Sequence, residues 1–131
     1  AVHLLDPQPG ERILDLCSAP GGKALAIAER MQNTGCIVAH DSHAGRLELV
    51  RENAQRLGAT GIELQPNPEL GGPEVRFDRV LVDAPCSNTG VLRRRIELRW
   101  RIQPEEINRL AAEQAKLLHR AAERVRPGGV L

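Results

Sequence analysis

The stretch "LDLCSAPGGK", residues 14 to 23, decides the fold that the sequence predicts. It overlaps the apolar run "RILDL", residues 12 to 16, which is typical of a buried strand, and it leads into an Ala/Leu/Ile-rich helix from Lys23 to Met31. Its two glycines permit a tight turn and let backbone N–H groups point at an anionic group. The loop therefore predicts a nucleotide-type site, although its spacing is neither G-x-G-x-x-G nor that of a P-loop. A plain strand-to-helix turn is the alternative.

Further strands and helices alternate along the chain. The pattern predicts a helix from His43 to Leu57, with Ser42 as its N-cap and Gly58 as its stop. Such alternation is typical of an α/β protein with a mostly parallel, doubly wound sheet. The other predicted strands are "CIVAHD" (36 to 41), "IELQ" (62 to 65) and "RVLVD" (79 to 83).

A last helix is predicted to begin at Pro104, with Glu105 and Glu106 complementing the helix dipole. We expect "PGG", residues 127 to 129, to end it and "GGVL" to open another strand. The apolar stripe predicted for its buried face consists of Ile107, Leu110, Ala111, Leu118, Ala121 and Val125.

Composition bounds the class of protein. The length of 131 residues, of which 41% are hydrophobic and 27% charged, predicts a single globular domain. It has neither a membrane-length apolar run nor a secretory leader, and its three cysteines fit no zinc or disulfide pattern. We therefore expect a cytoplasmic protein without membrane or metal. Since the chain opens without methionine and closes inside a predicted strand, we expect residues 1–131 to be the central part of one domain, incomplete at both ends.

One segment is strongly basic although the formal net charge is only +1. "RRRIELRWR", residues 93 to 101, carries five arginines and one glutamate. Such a segment could contact phosphate, or it could be a solvated charged surface. Only Phe77 and Trp100 are aromatic, which disfavours a base-stacking platform of the kind found in RNA-recognition motifs.

Polar residues follow the predicted second and third strands. Asp41 stands where a carboxylate of a Rossmann-like sheet can accept hydrogen bonds from both ribose hydroxyls, or it could cap the next helix. Asn67 is the nearest polar residue after the third strand, and its Pro-rich setting is also typical of a turn.

The fourth strand ends in Asp83 and leads into "APCSNTG". A strand beside the first one would deliver Cys86 to the crevice at the carboxyl edge of the sheet. Cys86 could then face a ligand, or it could be a small buried hydrophobic residue, and Pro85 slightly favours the first interpretation because it stiffens the approach.

Three stretches together closely resemble the NOL1/NOP2/Sun family of S-adenosylmethionine-dependent RNA cytosine-5 methyltransferases. They are "DLCSAPGGK" (15 to 23), "VAHDSHAGRLELVRENAQRLG" (38 to 58) and "FDRVLVDAPCSNTGVLRR" (77 to 94), and the likeness covers essentially the whole chain. The resemblance implies the Rossmann-like methyltransferase fold, S-adenosyl-L-methionine as cofactor and RNA, with ribosomal RNA expected, as substrate. It also implies a role in rRNA processing.

The resemblance also implies site residues. Asp41 would hold the ribose, Asp83 would border both cofactor and target base, and Asn67 stands where relatives usually place an acidic residue near the adenine. Arg93, Arg94 and Arg95 would contact RNA, although relatives tend to read His-Pro where Arg95 and Ile96 stand. The loop around the methionine end of the cofactor would consist of Cys17, Ser18, Ala19, Pro20, Gly21, Gly22 and Lys23.

Cytosine C5 methylation requires a thiolate that adds to C6, which makes C5 nucleophilic toward the cofactor's methyl group, after which a base removes the C5 proton. In the resembled family the attacking thiol belongs to a Thr-Cys-Ser motif one strand later, and Cys86 matches the auxiliary cysteine that assists product release. We therefore expect Cys86 and Asp83 in the catalytic site, the nucleophile beyond Leu131, and no activity from these residues alone.

A second hypothesis is a non-catalytic cofactor-binding or RNA-binding module with the same sheet, to which the absent nucleophile and Asn67 would point. An amino-group methyltransferase is disfavoured, because such enzymes show Asn or Asp followed by Pro-Pro-aromatic where "DAPC" stands.

Overall fold

The computed structural model describes residues 1–67, 69–91, 93, 96 and 103–131, with only the backbone of Val91. These residues form four α-helices, five strands and a 3-10 turn at Thr89–Val91. The elements run in the order α1 (Val2–Leu5), β1 (Arg12–Asp15), α2 (Gly22–Arg30), β2 (Cys36–Ala39), α3 (Ala44–Leu57), β3 (Ile62–Leu64), β4 (Phe77–Leu81), α4 (Pro104–Ala122) and β5 (Val125–Val130).

The strands form one parallel sheet in the order β3-β2-β1-β4-β5. In the centre, Ile13 of β1 pairs with Ile37 of β2 on one side and with Arg79 of β4 on the other. The chain thus winds outward from β1 to β3 and then crosses to β4. In such sheets ligands bind at the carboxyl ends of the strands where the winding reverses, here β1 and β4. The predicted α/β class with a doubly wound parallel sheet is confirmed.

Both faces of the sheet are covered, which explains why β1 and β2 are almost continuously apolar. Ile13 and Ile37 pack against α1 and α2, whereas Leu14 and Val38 face α4. The largest buried side chains on the two faces belong to Ile13, Ile27, Met31 and Ile37, and to Leu14, Leu16, Phe77 and Val80.

Two details of the predicted helices are wrong. The N-cap of α3 is His43 rather than Ser42, and its backbone N–H donates to Asp41 Oδ1 at 3.0 Å. In α4 the buried positions are Leu110 and Ala121, whereas two members of the predicted stripe, Ile107 and Leu118, are 47% and 55% exposed. A stripe chosen from apolar residues alone is broader than the single helix face that contacts the sheet.

The "PGG" stretch does not end the last helix. That helix ends at Ala122, and Pro127, Gly128 and Gly129 lie inside β5, which also contains Val125. The pairing of β4 with β5 shifts register here, as at a β-bulge. A side chain at Gly129 would place its Cβ 2.6 Å from the carbonyl oxygen of Asp78, so the close approach of the two strands requires glycine. The strand expected at "GGVL" is present but begins earlier.

Within the described part of the chain, none of the helices has the length and apolarity needed to cross a membrane.

Candidate functional site

A cleft of about 380 Å³ lies at the carboxyl edge of the sheet, where the winding reverses. Five of the predicted site residues line it, namely Cys17, Ala19, Asp41, Asp83 and Cys86. They come from three segments far apart in sequence, which follow β1, β2 and β4. The rest of the lining consists of Ser42, Arg46, Ala84, Pro85 and Asn88.

A smaller recess of about 200 Å³ adjoins this cleft, since Cys17, Ala19 and Asp83 line both. It is formed mainly by the loop between β1 and α2, and Lys23 belongs to its wall. The helix α2 begins at Gly22 without a side-chain cap. Because the first N–H groups of a helix have no partner within it, this recess suits a carboxylate or a similar anionic group. The other lining residues are Ser18, Pro20 and Gly22.

The N-cap Gly21 explains why this loop contains glycine. Its φ is 104°, in the left-handed region, and an added Cβ would lie 3.2 Å from both Cα and Cγ1 of Val50 in α3. Gly21 therefore shapes the turn by packing against α3, and it lines neither of the two cavities.

Asp41 joins the loop to α3. Its side chain is only 5% exposed, and Oδ2 accepts a hydrogen bond from Ala19 N–H at 3.2 Å while Oδ1 accepts one from His43 N–H. Arg46 Nη1 lies 3.5 Å from its carboxylate. Asp41 is not the N-cap of α3, which is His43, but its carboxylate binds the backbone N–H of that residue and also lines the cleft.

Lys23 and Asp83 form an ion pair across the recess, in which Lys23 Nζ donates to Asp83 Oδ2. The pair links the first turn of α2 to the segment after β4. Both side chains remain partly exposed, so this contact orients the two groups more than it stabilises the fold.

Asp15 is a candidate site residue that the sequence analysis missed. It ends β1 and is completely buried, and none of the described residues provides a hydrogen-bond partner for its carboxylate oxygens or for the buried Ser18 hydroxyl. Burial raises the pKa of Asp15 to about 6, and the nearby Ser18 hydroxyl and Lys23 ammonium offset part of this effect. A signal was present in the sequence, since an aspartate between Leu14 and Leu16 interrupts an otherwise apolar strand.

The two cysteines of the cleft differ in their surroundings. Burial and the carboxylates of Asp41, Asp15 and Asp83 raise the pKa of the Cys17 thiol to about 11, so Cys17 stays protonated at neutral pH. Cys86 is exposed, and its thiol lies 3.7 Å from the amide oxygen Oδ1 of Asn88.

The segment that carries Cys86 is held from α4. Gln114 Nε2 donates a 2.7 Å hydrogen bond to the carbonyl oxygen of Pro85. The fold therefore delivers Cys86 to the crevice, as the sequence predicts, and it is not a buried core residue.

The other predicted site residues lie outside the two cavities. Asn67 is exposed and forms a turn, in which its Oδ1 accepts a 2.8 Å hydrogen bond from Glu69 N–H. Arg93 is exposed and lines neither cavity. Arg94 and Arg95, together with most of the basic segment, lie outside the described residues. Their roles at the adenine and on RNA stay predictions.

Comparison with known proteins identifies the family. A sequence profile described as 16S rRNA methyltransferase RsmB/F matches residues 2–131. The chain belongs to the RsmB/F family. One curated relative of this chain is the ribosomal RNA small subunit methyltransferase B of Serratia proteamaculans (strain 568). The two are 42% identical over 133 residues, which are 99% of this chain and 31% of the relative. The chain thus spans less than a third of the length of that relative.

Solved structures agree with this assignment to the RsmB/F family. The crystal structure of NSun6 from Pyrococcus horikoshii with SFG has a TM-score of 0.86 and 32% sequence identity, and the match covers 98% of this chain and 34% of that one. The resemblance to the NOL1/NOP2/Sun family is confirmed.

A more distant structure bears on the fold alone. Protein-L-isoaspartate O-methyltransferase, which is 19% identical, has a TM-score of 0.55 over 66% of this chain and 28% of its own. The Rossmann-like methyltransferase fold is therefore confirmed for this RsmB/F chain. The family match and the NSun6 structure with SFG confirm S-adenosylmethionine as the cofactor of the family.

Proposed function

We propose that this chain forms the cofactor-binding and base-facing part of an S-adenosylmethionine-dependent methyltransferase that acts on C5 of cytosine in ribosomal RNA. The observation that carries the proposal is the single cleft in which Asp41 and the loop after β1 meet Asp83 and Cys86. A site of this kind brings the methyl donor and the target base to the same edge of the sheet.

The residues present fit the proposed cofactor. S-adenosylmethionine carries two cationic groups, its ammonium and its sulfonium, and the carboxylates of Asp41 and Asp83 line the cleft. The start of α2 suits the cofactor's carboxylate. Asp41 retains acceptor capacity for ribose hydroxyls, since a carboxylate offers about four lone-pair sites. When bound, the cofactor supplies an electrophilic methyl group.

We assign the residues of the cleft to the following roles. Asp83 orients the target base, and its ion pair with Lys23 directs its carboxylate along the recess. Asp41 holds the ribose, and Asn67 lies on the adenine side. Arg93, Arg94 and Arg95 contact the RNA backbone. The loop residues from Cys17 to Lys23 surround the methionine end of the cofactor.

Neither thiol of the cleft is arranged as the attacking nucleophile. Nucleophilic cysteines are thiolates stabilised by a cation, a helix N-terminus or a metal. Cys17 instead stands among three carboxylates that raise its pKa, and the Cys86 thiol donates toward an amide oxygen. We therefore propose that the thiol that adds to C6 comes from a Thr-Cys-Ser segment outside these residues, that Cys86 assists product release, and that the 131-residue chain alone does not methylate cytosine.

Covalent trapping tests this proposal in a parent chain extended to include a downstream Thr-Cys-Ser segment. With labelled RNA and cofactor, Cys86→Ala should accumulate an RNA–protein adduct on denaturing gels, whereas alanine at the downstream cysteine should form none. An adduct formed by the 131-residue chain and abolished by Cys86→Ala would make Cys86 the nucleophile and overturn the assignment. Cofactor binding by the parent with neither adduct nor methylation would favour the non-catalytic module.

A further inference from the structure

Helix α3 contacts the loop after β1 through three residues on one face. Arg46, Val50 and Asn53 are spaced four and three residues apart, so they lie in one row along the helix. They contact Ala19, Gly21 and Pro20, which are consecutive in the chain. The helix therefore fixes the conformation of the loop at these three positions.

Asn53 holds the carbonyl oxygen of Pro20. Its Nδ2 donates to that oxygen at 3.1 Å, and its Oδ1 accepts a 3.0 Å hydrogen bond from Arg56 Nη2. The second bond fixes the orientation of the amide, because it distinguishes the oxygen from the nitrogen. Asn53 lines neither the cleft nor the recess, so it can act on a ligand there only through the loop.

Arg46 has two partners instead of one. Its Nη2 donates to the carbonyl oxygen of Ala19 at 3.1 Å, while its Nη1 lies 3.5 Å from the carboxylate of Asp41. The same guanidinium thus fixes the loop and the acidic residue on which ribose recognition depends. Its position in the wall of the cleft brings it close to both.

These contacts also fix which backbone groups face the recess. The carbonyl oxygens of Ala19 and Pro20 are directed to α3, and that of Ser18 accepts from Gly21 N–H at 2.7 Å. A carbonyl oxygen turned toward the recess would repel a bound carboxylate, whereas the N–H groups that begin α2 attract one. Loss of either side-chain donor would release one of these carbonyls.

We propose that Arg46 and Asn53 are positioning residues with separable effects on the two ends of the cofactor. This inference rests on the proposed function, because it takes the ligand to be S-adenosylmethionine. Asn53 sets the affinity for the amino-acid end alone, since it acts only on the loop. Arg46 sets the affinity for both ends, since it also holds Asp41.

Two ligands separate these effects in calorimetric titrations of the chain. S-adenosylhomocysteine has both ends of the cofactor, whereas 5′-methylthioadenosine lacks the amino-acid end. The informative variant is Asn53→Asp, which keeps the acceptor for Arg56 and replaces the donor to Pro20 with a carboxylate oxygen that repels the Pro20 carbonyl. We expect it to weaken S-adenosylhomocysteine by at least about 5- to 10-fold, the loss of one hydrogen bond, and to leave methylthioadenosine within about 2-fold. Arg46→Ala should weaken both ligands, and Arg46→Lys should recover part of the loss.

The control variant is Arg51→Ala. Arg51 is an exposed residue of the same helix that pairs with Glu48, so its loss should change neither affinity. Thermal unfolding of each variant shows whether the fold is retained. Equal losses for both ligands in Asn53→Asp, or wild-type affinities in both Asn53→Asp and Arg46→Ala, would overturn the inference while leaving the proposed function intact. A wild-type chain that binds neither ligand would overturn the proposed function and this inference with it.

Discussion

Lys23 and Asp83 are 60 residues apart in sequence, and the ammonium of one donates to the carboxylate of the other. The first lies in the first turn of α2, and the second follows β4 on the other side of the winding reversal. Their contact is possible because β1 and β4 are neighbours in the sheet. The motif after β1 and the motif after β4 thus share one ion pair, so a substitution of either partner removes a contact from both motifs.

Replacing Asp41 should weaken cofactor binding. Asp41→Ala removes the acceptor for the ribose and the tie to Ala19 N–H, so the affinity for S-adenosylhomocysteine should fall by about 1 to 3 kcal/mol. Calorimetric titration measures the loss, with Glu52→Ala on the exposed side of α3 as the control. Equal affinities in wild type and Asp41→Ala would remove Asp41 from the site.

Asp15 should make stability depend on pH in the direction opposite to that of most aspartates. Its folded pKa of about 6 exceeds the ordinary value of 3.8, so the folded state holds the proton more tightly than the unfolded state. The stability that the folded state gains by holding this proton is fully present below pH 3.8 and is lost as the pH rises through 6. Asp15→Asn should therefore raise the free energy of unfolding at pH 7 by up to about 3 kcal/mol.

Urea unfolding at several pH values measures this effect. The difference between Asp15→Asn and wild type should grow from pH 4 to pH 7, whereas Gln55→Ala, at an exposed residue that does not titrate, should show no such trend. A variant less stable than wild type at pH 7 would show that the buried carboxylate has a stabilising partner.

The Arg79–Glu11 pair should contribute strongly to stability. Arg79 Nε lies 2.6 Å from Glu11 Oε2, its Nη1 donates to the Leu5 carbonyl at 2.6 Å, and both side chains are mostly buried. Arg79→Ala leaves a mostly buried carboxylate without its cation, which should cost about 2 to 4 kcal/mol. Denaturant unfolding checks the loss against Arg109→Ala, which removes exposed pairs within α4 and should hardly move the midpoint. Similar midpoints for the two variants would contradict this prediction.

The Asn67 position tests the adenine side of the site. Asn67→Asp keeps the acceptor for Glu69 N–H, so the turn should persist and the melting temperature should not change. A carboxylate there can accept from the adenine amino group, and we expect calorimetry to give tighter or equal binding of S-adenosylhomocysteine. A marked loss of affinity would mean that the end of β3 does not lie at the adenine.

Arginines 93 to 95 should bind RNA through phosphate. The affinity for RNA should fall as salt rises, and the log–log slope grows by nearly one for each phosphate neutralised. Simultaneous replacement of Arg93, Arg94 and Arg95 by alanine should flatten that slope, measured by fluorescence anisotropy at several salt concentrations. The triple variant Arg51→Ala, Arg109→Ala and Lys116→Ala serves as a control for total charge. An unchanged slope would identify Arg93 to Arg95 as a solvated face.

Much of the fold could be predicted because the central strands are buried on both faces. A run such as "RILDL" has few alternatives to a buried strand when it is followed by glycines and a helical pattern. Parallel pairing of such strands then brings Cys17, Asp41 and Asp83 to one edge of the sheet. Local signals also located the stop of α3, where Gly58 adopts a φ of 66°. These features depend only on short stretches of sequence, so local patterns are enough to predict them.

The wrong or missed predictions concern features that depend on tertiary contacts. The bulged pairing of β5 with β4, in which Gly129 approaches Asp78, turns a helix-ending "PGG" into part of a strand. The N-cap of α3 is His43 instead of Ser42, and the Asp41 carboxylate binds the backbone N–H of His43. Asp15 was missed because an aspartate in a strand gives no sign of whether a partner will reach it.

The two edges of the sheet carry different kinds of ion pair. At the edge where the strands begin, Asp78 binds both Arg126 and the backbone N–H of Arg12, and Arg79 binds Glu11. The edge where the strands end carries the cleft. Replacements at the edge that carries the cleft therefore leave the ion pairs of the opposite edge in place.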